Sequence, residues 1–591
     1  MAARRTDAAM ALAGAAGSLL VSWLQGANKL VRSGGDSDSL MRLVQVRDLL
    51  AGQGWFDLVQ LRMGLEPGFE LHWSRLVDAP IAILIAAIEE ITGDGPGSEA
   101  IAAYLWPGLL LALSLYFTAR ASRTMGGAQA AFPAVVLALA ALHFMGIFVP
   151  GSFDHHNVQL ALVLGMASAL LGRPGSAGGA VSGTLAALSL AVGMETAPLV
   201  AAGAAALALC FLVSGHMERL TAAGFGLGFA AAAFIVTLVT LPPREWASVE
   251  CDAWSGAQAG TAILTGLGLA ACALVPALCA TARRRAFALA SLGAVTLVVA
   301  LVAFPACLAD PYASLDPLLK RYWLDWVSEA QGVLSLFAGK PGEAAGYFAT
   351  PVLALAFLAW CAVSDPASRR NALVLGAMIA CAAAVSLWQV RGAIFSVALA
   401  AIPLAALIAR ARALSVVRGG SVFTLLLVFA WLVSFNVVWN MGAARLADLL
   451  SKAPPAANAA AGGDCNAATD YTLLSGLSPA TVLVISNLGA AVLANTDHRV
   501  LAGPYHRNVE GNLAALRALA SPPEAARSMA AEFEIDLVAH CPGNDETRTL
   551  SEAFPSGLLA ALSNGQPPDW LQPIESGQAS NLEIFRVVRG H

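Results

Sequence analysis

The stretch that organises this chain is Gly151-Ser152-Phe153-Asp154-His155-His156-Asn157. It lies between two apolar segments, the first ending near Pro150 and the second starting near Val158. Consecutive ionisable side chains at the end of a membrane helix are costly unless they face water, a metal or a partner. Two interpretations are open at this point. The stretch is either a polar loop between two helices or a cluster of carboxylate and imidazole ligands for a metal ion.

The composition indicates a membrane protein. Of the 591 residues, 58% are hydrophobic and 12% are charged, and the mean hydropathy is +0.68. A soluble protein of this length would not be so apolar, and one membrane span would not need so many residues. The net charge of −5 is small, and the chain has no basic tract that suggests a nucleic-acid partner. We therefore expect a polytopic protein in contact with membrane lipids.

Apolar segments long enough to cross a membrane recur along the chain. Arg4 and Arg5 precede the first, which runs from about Ala8 to Leu24 and lacks a small-x-small cleavage site, so we interpret it as an uncleaved span. Together with twelve later segments it predicts about thirteen transmembrane helices. The later segments are 99–119, 127–149, 157–172, 178–194, 197–214, 221–241, 260–280, 286–308, 347–363, 373–389, 392–409 and 421–439.

The distribution of arginine predicts the orientation. If the N-terminus is cytoplasmic, alternate connections carry the basic residues, and the short outer loops contain almost none. The inner residues are Arg4, Arg5, Arg120, Arg123, Arg173, Arg219, Arg283, Arg284, Arg285, Arg369, Arg370, Arg410, Arg412 and Arg418. This pattern favours a multi-pass protein of a bacterial-type inner (plasma) membrane, with an extracytoplasmic or periplasmic C-terminal part.

Two domains are expected. Residues 1–443 form the transmembrane domain, with long outer loops at 26–98 and 309–346, and residues 444–591 form an outer α/β domain. The linker is Ala453–Gly463, which is rich in Ala and Pro. The outer domain is predicted from strand-like runs at Thr481–Ser486, Asp536–His540 and Leu582–Val588 and from helical patterns at 511–520 and 523–533.

Four cysteines lie on the outer side, and an oxidising compartment would allow them to pair. We expect one bridge between loops and one within the terminal domain, without a pairing that the sequence alone can assign. The four are Cys251, Cys307, Cys465 and Cys541.

Three further outer features accompany the Asp154 stretch, and each has an ordinary interpretation. Asp38 follows the first span and suits a solvated turn or a helix cap. Glu329 lies in a long loop where a solvated carboxylate is common. Arg391 lies at the outer boundary between two spans, where an arginine can extend to the interface. At this depth the guanidinium fork also suits a lipid-linked phosphate.

In this order and on one face, these features resemble the catalytic subunit of oligosaccharyltransferases, a GT-C membrane glycosyltransferase. That family has a carboxylate before an Arg-Asp-aliphatic-aliphatic-x-Gly segment, a Gly-x-x-Asp-x-Asp loop, a later Ser-Val-Ser-Glu or Thr-Ile-x-Glu loop, and a late arginine that contacts the phosphate. The resemblance also implies thirteen spans and an outer α/β domain. The matching residues are Asp38 with Arg47-Asp48-Leu49-Leu50-Ala51-Gly52, Gly151 to His156, Trp326-Val327-Ser328-Glu329, and Arg391.

One family motif is missing. The terminal domain lacks Trp-Trp-Asp-Tyr-Gly, which binds the acceptor sequon in that family, and the corresponding stretch is Val484-Ile485-Ser486-Asn487-Leu488-Gly489. The segment from His498 to Asn508 is either a replacement acceptor-binding surface or a strand and turn of the domain. Its candidate substrate-binding residues are His498, Arg499, His506 and Arg507.

The chemistry of a phosphate leaving group accounts for the carboxylates. A divalent cation would neutralise the negative charge that develops on the phosphate. Carboxylates suit Mg²⁺ or Mn²⁺, and one imidazole favours Mn²⁺. We expect Arg391 to hold a phosphate oxygen, and we assign possible groove positions to Glu195 and His72. The metal ligands are expected to be Asp38, Asp154, His156 and Glu329, with His155 as the alternative imidazole; the three carboxylates are the predicted catalytic residues.

The sequence therefore predicts a glycosyltransferase. Its donor would be a sugar or oligosaccharide on polyprenyl phosphate or pyrophosphate, and its acceptor an extracytoplasmic glycan, lipid or protein. Two other classes remain: a transporter or flippase of a lipid-linked glycan, and a noncatalytic membrane protein with an outer binding domain. A transporter would show internal repeats and charges at the membrane midplane, whereas here the charges gather at one surface.

Overall fold

The computed structural model describes residues 2–308, 315–324, 332–450, 463–575 and 580–589. Within these ranges, ten helices are long and apolar enough to cross a membrane, which makes the chain a multi-pass membrane protein. They are Ala3–Leu24, Gly95–Gly126, Ala128–Met145, Met194–Met217, Arg219–Thr240, Gly256–Leu274, Ala282–Ala303, Pro341–Ser364, Pro366–Trp388 and Val390–Arg418.

The predicted count of about thirteen transmembrane helices includes three further segments that are not among these ten. Ser421–Ser434 and Asn436–Leu450 meet at a bend of 78° and add an eleventh span if they cross together. His156–Leu170 and Ser176–Val192 are apolar but shorter than the other helices. By length and composition, the described residues thus give ten or eleven spans, and a count of thirteen requires both short helices to cross.

The helical part has one continuous apolar core. Val390–Arg418 lies at its centre, since most of this helix is buried by neighbouring helices. Small residues allow some backbones to approach closely. A Cβ added to Gly183 would lie 2.1 Å from the carbonyl oxygen of Phe225, so Ser176–Val192 and Arg219–Thr240 pack backbone to backbone.

The first outer loop is folded. It contains the helices Ser37–Leu50 and Arg75–Thr92 and a short antiparallel pair, β1 (Val59–Gln60) and β2 (Phe69–Glu70). Asp36 caps Ser37–Leu50 by accepting a hydrogen bond from the Ser39 backbone N–H at 2.9 Å. Beyond the end of the helix, Gly52 has φ +102°, which favours glycine.

The terminal domain is α/β, as predicted. Its five strands are β3 (Thr481–Leu483), β4 (Arg499–Val500), β5 (Leu537–His540), β6 (Leu571–Pro573) and β7 (Glu583–Val587). The order is β4-β3-β5-β7-β6; β3 is parallel to β4 and β5, and β7 is antiparallel to β5 and β6. Its longer helices are Ser486–Asn495, Val509–Ala520, Pro523–Glu532, Asp545–Ala553 and Leu558–Ser563. Three predicted strands and two predicted helices are confirmed.

The first loop and the terminal domain share one hydrophobic core, which also includes Leu319 from the helix Pro317–Tyr322. Met63 forms an isolated bridge with Val500. The guanidinium of Arg62 donates to the carbonyl oxygens of Leu493 and Thr496, at the end of a terminal-domain helix. The terminal domain is therefore packed onto the membrane part of the chain rather than separated from it.

Two disulfides confirm the expected pattern of one bridge between loops and one within the terminal domain. Cys251 is bonded to Cys307, and Cys465 is bonded to Cys541.

Candidate active site

The Asp154 loop turns sharply where it leaves its preceding helix. Gly151 has φ +86°, and a Cβ there would lie 2.9 Å from the Asn28 side-chain oxygen and 3.0 Å from the Leu30 backbone nitrogen. Glycine is therefore required both by the backbone conformation and by the close approach of the segment after the first span. The following helix begins at His156.

Asp154 is enclosed by the two histidines that follow it. One carboxylate oxygen lies 2.6 Å from Nδ1 of His155, and the other contacts Nδ1 of His156. The imidazole rings stack at 4.4 Å between centroids. One ligand atom from each residue lies within 4.8 Å of the others, so this cluster fits the carboxylate and imidazole donor set of a divalent cation.

The negative charge of Asp154 and the positive charges of the two histidines stabilise one another. Burial tends to raise the pKa of Asp154, but the charges of His156 and His155 hold that pKa well below its usual range. Burial opposes protonation of His155, yet the Asp154 charge and hydrogen bond raise its pKa to about 10. Asp154 is therefore ionised at neutral pH, with positive charge beside it.

Glu195 adds a second carboxylate to this edge. Its Oε1 lies 3.6 Å from Nε2 of His155, and its Oε2 accepts a hydrogen bond from Gln159 at 2.8 Å. Gln159 also donates to the Gly193 carbonyl at 3.1 Å, which holds the start of the Glu195 helix against His156–Leu170. Glu195 therefore lies beside His155, and its place in a substrate groove stays a prediction.

Asp38 is brought to the same region by the helix Ser37–Leu50. The Ser39 hydroxyl accepts hydrogen bonds from the backbone N–H groups of Phe153 and Asp154, at 3.1 and 3.2 Å. The Tyr505 hydroxyl donates to the Ser37 carbonyl at 3.0 Å. Burial raises the pKa of Tyr505 well above its ordinary value, and the charges of Asp38, Asp36 and Asp154 raise it further. Asp38 and Asp154 therefore both act electrostatically on one buried phenol.

Glu329 and Arg391 are the remaining residues of the predicted site. Glu329 lies outside the described residues. Arg391 lies in the one-turn helix Val390–Gly392, and its Nε atom is buried without a hydrogen-bond partner among the residues that the structure describes. A Cβ added to Gly332 would lie 3.4 Å from the Trp388 carbonyl oxygen. The described chain therefore resumes after Glu329 close to the segment that carries Arg391.

A second cluster lies where the terminal domain meets the membrane part. Asp252 accepts hydrogen bonds from Nε2 of His506 at 2.7 Å and from Nε and Nη2 of Arg507 at 2.9 and 2.6 Å. His72 lies 3.9 Å from the same carboxylate, and its ring is 4.8 Å from the ring of His506. Burial lowers the pKa of His72 to about 3, so its imidazole is neutral. Hydrogen bonds from His506 and Arg507 hold the pKa of Asp252 below its usual range, although burial tends to raise it.

Trp73 lies between the Asp154 cluster and the cluster of His72, Asp252 and His506. Its ring centroid lies 6.1 Å from that of His155 and 5.6 Å from that of Tyr505. Arg42 lies over the same ring, with Cζ 4.3 Å from the centroid. His72, the neighbour of Trp73, therefore lies beside the Asp154 cluster as well as in its own.

The segment from His498 to Asn508 contains strand β4 and a turn, which is one of its two predicted interpretations, and acceptor binding stays a prediction. His498 is buried, and its ring nitrogens contact the Ala480 backbone nitrogen at 3.0 Å and the Leu474 carbonyl at 2.8 Å. Arg499 begins strand β4 and pairs with Glu66. These two residues bond to the protein itself, and substrate binding by them stays a prediction. His506 and Arg507 instead face the membrane part of the chain.

The stretch that corresponds to the missing acceptor motif forms the start of a helix. The half-buried Glu546 carboxylate accepts hydrogen bonds from the backbone N–H of Ser486 at 3.1 Å and of Asn487 at 2.8 Å. Ser37 donates to the Asn487 carbonyl at 3.3 Å. This helix N-terminus, capped by a carboxylate from elsewhere in the domain, thus lies directly beside the helix that carries Asp38.

Three residues of this region were not predicted from the sequence: Ser39, Tyr505 and Asp252. Ser39 follows Asp38, and Tyr505 lies in the segment from His498 to Asn508, but neither has a distinctive spacing. Asp252 follows Cys251, which marked its loop as an outer one, but its partner His506 is 254 residues away. Only the tertiary structure shows this contact.

Comparison with known proteins identifies the fold. No family model and no curated protein matches the chain. The archaeal oligosaccharyltransferase AglB from Archaeoglobus fulgidus, in complex with an inhibitory peptide and a dolichol-phosphate, has a TM-score of 0.61 and 14% identity, covering 95% of this chain and 72% of that chain. The Archaeoglobus fulgidus oligosaccharyltransferase tethered with an acceptor peptide containing the NVT sequon has a TM-score of 0.61 and 15% identity, and the match covers 93% of this chain and 71% of that chain. The complex of the same oligosaccharyltransferase with Zn and sulfate has a TM-score of 0.57 and 13% identity, and the match covers 98% of this chain and 73% of that chain. The chain thus has the oligosaccharyltransferase-like GT-C fold that its short motifs predicted.

Proposed function

We propose that this protein is a membrane glycosyltransferase that transfers a sugar or oligosaccharide from a polyprenyl phosphate or pyrophosphate to an extracytoplasmic acceptor. The observation that carries the proposal is the meeting of the Asp154 loop with the Asp38 helix, through Ser39, in a chain with an oligosaccharyltransferase-like fold. In the reaction, an acceptor oxygen or nitrogen attacks the anomeric carbon. The bond from that carbon to the phosphate oxygen breaks, and the acceptor loses a proton.

A divalent cation, Mn²⁺ or Mg²⁺, is proposed as the cofactor. Asp154 and His156 would hold it, with Asp38 and Glu329 completing the ligand set. When bound, the cation neutralises the charge on the leaving phosphate as a Lewis acid. The donor set fits, because Asp154 is ionised and surrounded by imidazoles whose protons a cation could replace.

Arg391 is proposed to bind the donor phosphate. Its buried Nε without a partner among the described residues leaves a donor that a phosphate oxygen can satisfy. The guanidinium can present two parallel N–H groups to one phosphate, which a lysine cannot. AglB, with the same fold, has been solved with a dolichol-phosphate, which agrees with a polyprenyl-linked donor for this chain.

The acceptor is proposed to enter between the membrane part and the terminal domain. His72, His506 and Arg507 line this boundary, and Glu195 lies at the edge of the Asp154 cluster. Since the Trp-Trp-Asp-Tyr-Gly motif is missing, we propose an acceptor other than a sequon peptide, of glycan, lipid or protein type. The site would face outward from a bacterial-type inner membrane, with the N-terminus in the cytoplasm.

Transfer by the purified chain tests the proposal. A radiolabelled polyprenyl-linked glycan is incubated with the full-length protein in detergent, with Mn²⁺, with Mg²⁺ or with EDTA. We expect sugar release to acceptor or water only with a cation. In a parallel assay with the protein reconstituted into vesicles, movement of the intact donor across the membrane without cleavage would indicate a flippase. Binding of donor with neither cleavage nor movement would indicate a noncatalytic protein.

A further inference from the structure

The boundary between the terminal domain and the membrane part contains a second group of metal-ligand side chains. His72 comes from the first outer loop, Asp252 from the loop between Arg219–Thr240 and Gly256–Leu274, and His506 from the terminal domain. One ligand atom from each lies within 4.8 Å of the others. Three independently placed segments thus direct two imidazoles and a carboxylate to one point.

Each of the three segments is fixed in place by a neighbouring contact. The disulfide of Cys251 with Cys307 lies next to Asp252. Trp73, beside His72, is buried under the Arg42 guanidinium. Tyr505, beside His506, is buried and bonded to the Ser37 carbonyl. The ligand atoms are therefore held by rigid surroundings, which is what a metal site requires.

The charge of this cluster must be considered with Arg507. Its guanidinium opposes a cation, but it also bonds to Glu250 at 3.0 Å as well as to Asp252. Asp252, Glu250 and Arg507 together carry a net charge of −1, and imidazole is a neutral ligand when it binds zinc, so the charges here permit a divalent cation. A guanidinium bonded to a ligating carboxylate acts as its outer hydrogen-bond partner and fixes its orientation.

We infer that His72, Asp252 and His506 form a second divalent-metal site of the zinc type. Two imidazoles and one carboxylate are a ligand set of three-ligand zinc sites, in which a fourth position stays open to water or substrate. The open position would face the boundary where we propose that the acceptor enters. The two imidazole ligands also make this site unsuitable for magnesium, which prefers oxygen ligands.

Metal at this position would join the first loop, the Asp252 loop and the terminal domain. It would therefore stabilise the packing of the terminal domain on the membrane part, whether or not the Asp154 cluster binds a metal. The inference stands independently of the proposed transferase activity.

Metal content tests the inference. The full-length protein in detergent is stripped with EDTA, dialysed against Zn²⁺ in excess Mg²⁺, passed through a desalting column and analysed by mass spectrometry for bound zinc. We expect His72→Gln and His506→Gln each to bind one equivalent of zinc fewer than the parent protein. Replacing the exposed His216, in the variant His216→Gln, should leave the zinc content unchanged. Size-exclusion chromatography confirms that each variant is folded.

Two comparisons separate this site from the Asp154 cluster. Asp154→Asn should still bind zinc at the His72 site. The equivalent of zinc that His72→Gln loses should therefore be present in Asp154→Asn. With Co²⁺ in place of Zn²⁺, His72→Gln should remove one set of visible absorption bands. Equal zinc content in the parent protein, His72→Gln and His506→Gln would overturn the inference, as would a parent protein that retains no zinc. Loss of transfer activity in Asp154→Asn has no bearing on it.

Discussion

The Ser39 hydroxyl accepts a hydrogen bond from the backbone N–H of Asp154 at 3.2 Å, across 115 residues of sequence. The same oxygen accepts from Phe153 and donates to Asp36. Through this one small side chain, the helix that carries Asp38 sets the conformation of the loop that carries Asp154. The relationship explains how two outer loops can present carboxylates to one region.

We predict that Ser39→Ala lowers both the transfer activity and the free energy of unfolding. The change leaves two buried N–H groups without their acceptor, which costs about 1–3 kcal/mol. Activity should fall by roughly 10-fold or more because a displaced ligand is worth that much in a preorganised site. Transfer rate and thermal unfolding are measured together. Ser39→Thr keeps the hydroxyl and should retain much of the activity. Equal activity in Ser39→Ala and the parent protein would contradict the role of Ser39.

Arg391→Lys should reduce transfer by about 10- to 100-fold despite the retained charge, since a charge-assisted hydrogen bond contributes about 1.5–3 kcal/mol. The effect should appear chiefly in the dependence of rate on donor concentration, because the residue is proposed to bind the donor phosphate. Arg412→Lys, at an exposed position in the same long helix, is the matched control and should be unchanged. If both variants behave alike, Arg391 does not bind the donor.

The acceptor should not be a sequon peptide. The N-terminus of the helix Ser486–Asn495 is already occupied by Glu546 and contacts Ser37, where the family carries Trp-Trp-Asp-Tyr-Gly. We expect no glycosylation of a fluorescent Asn-x-Thr peptide under conditions in which the donor is consumed. Efficient peptide modification would show that another part of the terminal domain recognises the sequon.

The orientation can be tested by labelling from outside the cell. A membrane-impermeant maleimide should label Asp545→Cys, in the exposed first turn of a terminal-domain helix, in intact spheroplasts. Arg284→Cys, exposed in the first turn of the helix Ala282–Ala303 and predicted to be cytoplasmic, should be labelled only after lysis. The reverse pattern would place the Asp154 cluster on the cytoplasmic side.

Local sequence patterns predicted much of the fold. Apolar segment length located the helices, β-rich runs located β3, β5 and β7, and the outer cysteines paired as expected. The span count was less certain, because Ser176–Val192 is short and packs through glycine backbones rather than through a long apolar surface. Helices buried among other helices do not need the length or hydropathy of lipid-facing ones.

The site was predictable only where it had a linear motif. Asp154 and its histidines form such a motif, and the structure brings them together with Glu195. Asp252 and Tyr505 act through partners hundreds of residues away, at the surface where the first loop and the terminal domain share a core. No periodicity in the sequence records such contacts.

In the proposed mechanism, Asp154 holds the cation that assists transfer. The most direct measurement is the rate of donor cleavage by the parent protein, Asp154→Asn and the surface control Asp569→Asn over a Mn²⁺ titration. We predict that Asp154→Asn reduces the saturated rate by at least about 100-fold, since a lost first ligand removes charge stabilisation in the transition state. Asp569→Asn should match the parent protein, and His156→Asp should stay active with an altered preference between Mn²⁺ and Mg²⁺. A folded Asp154→Asn protein that cleaves the donor at the parent rate would show that Asp154 does not hold a catalytic cation.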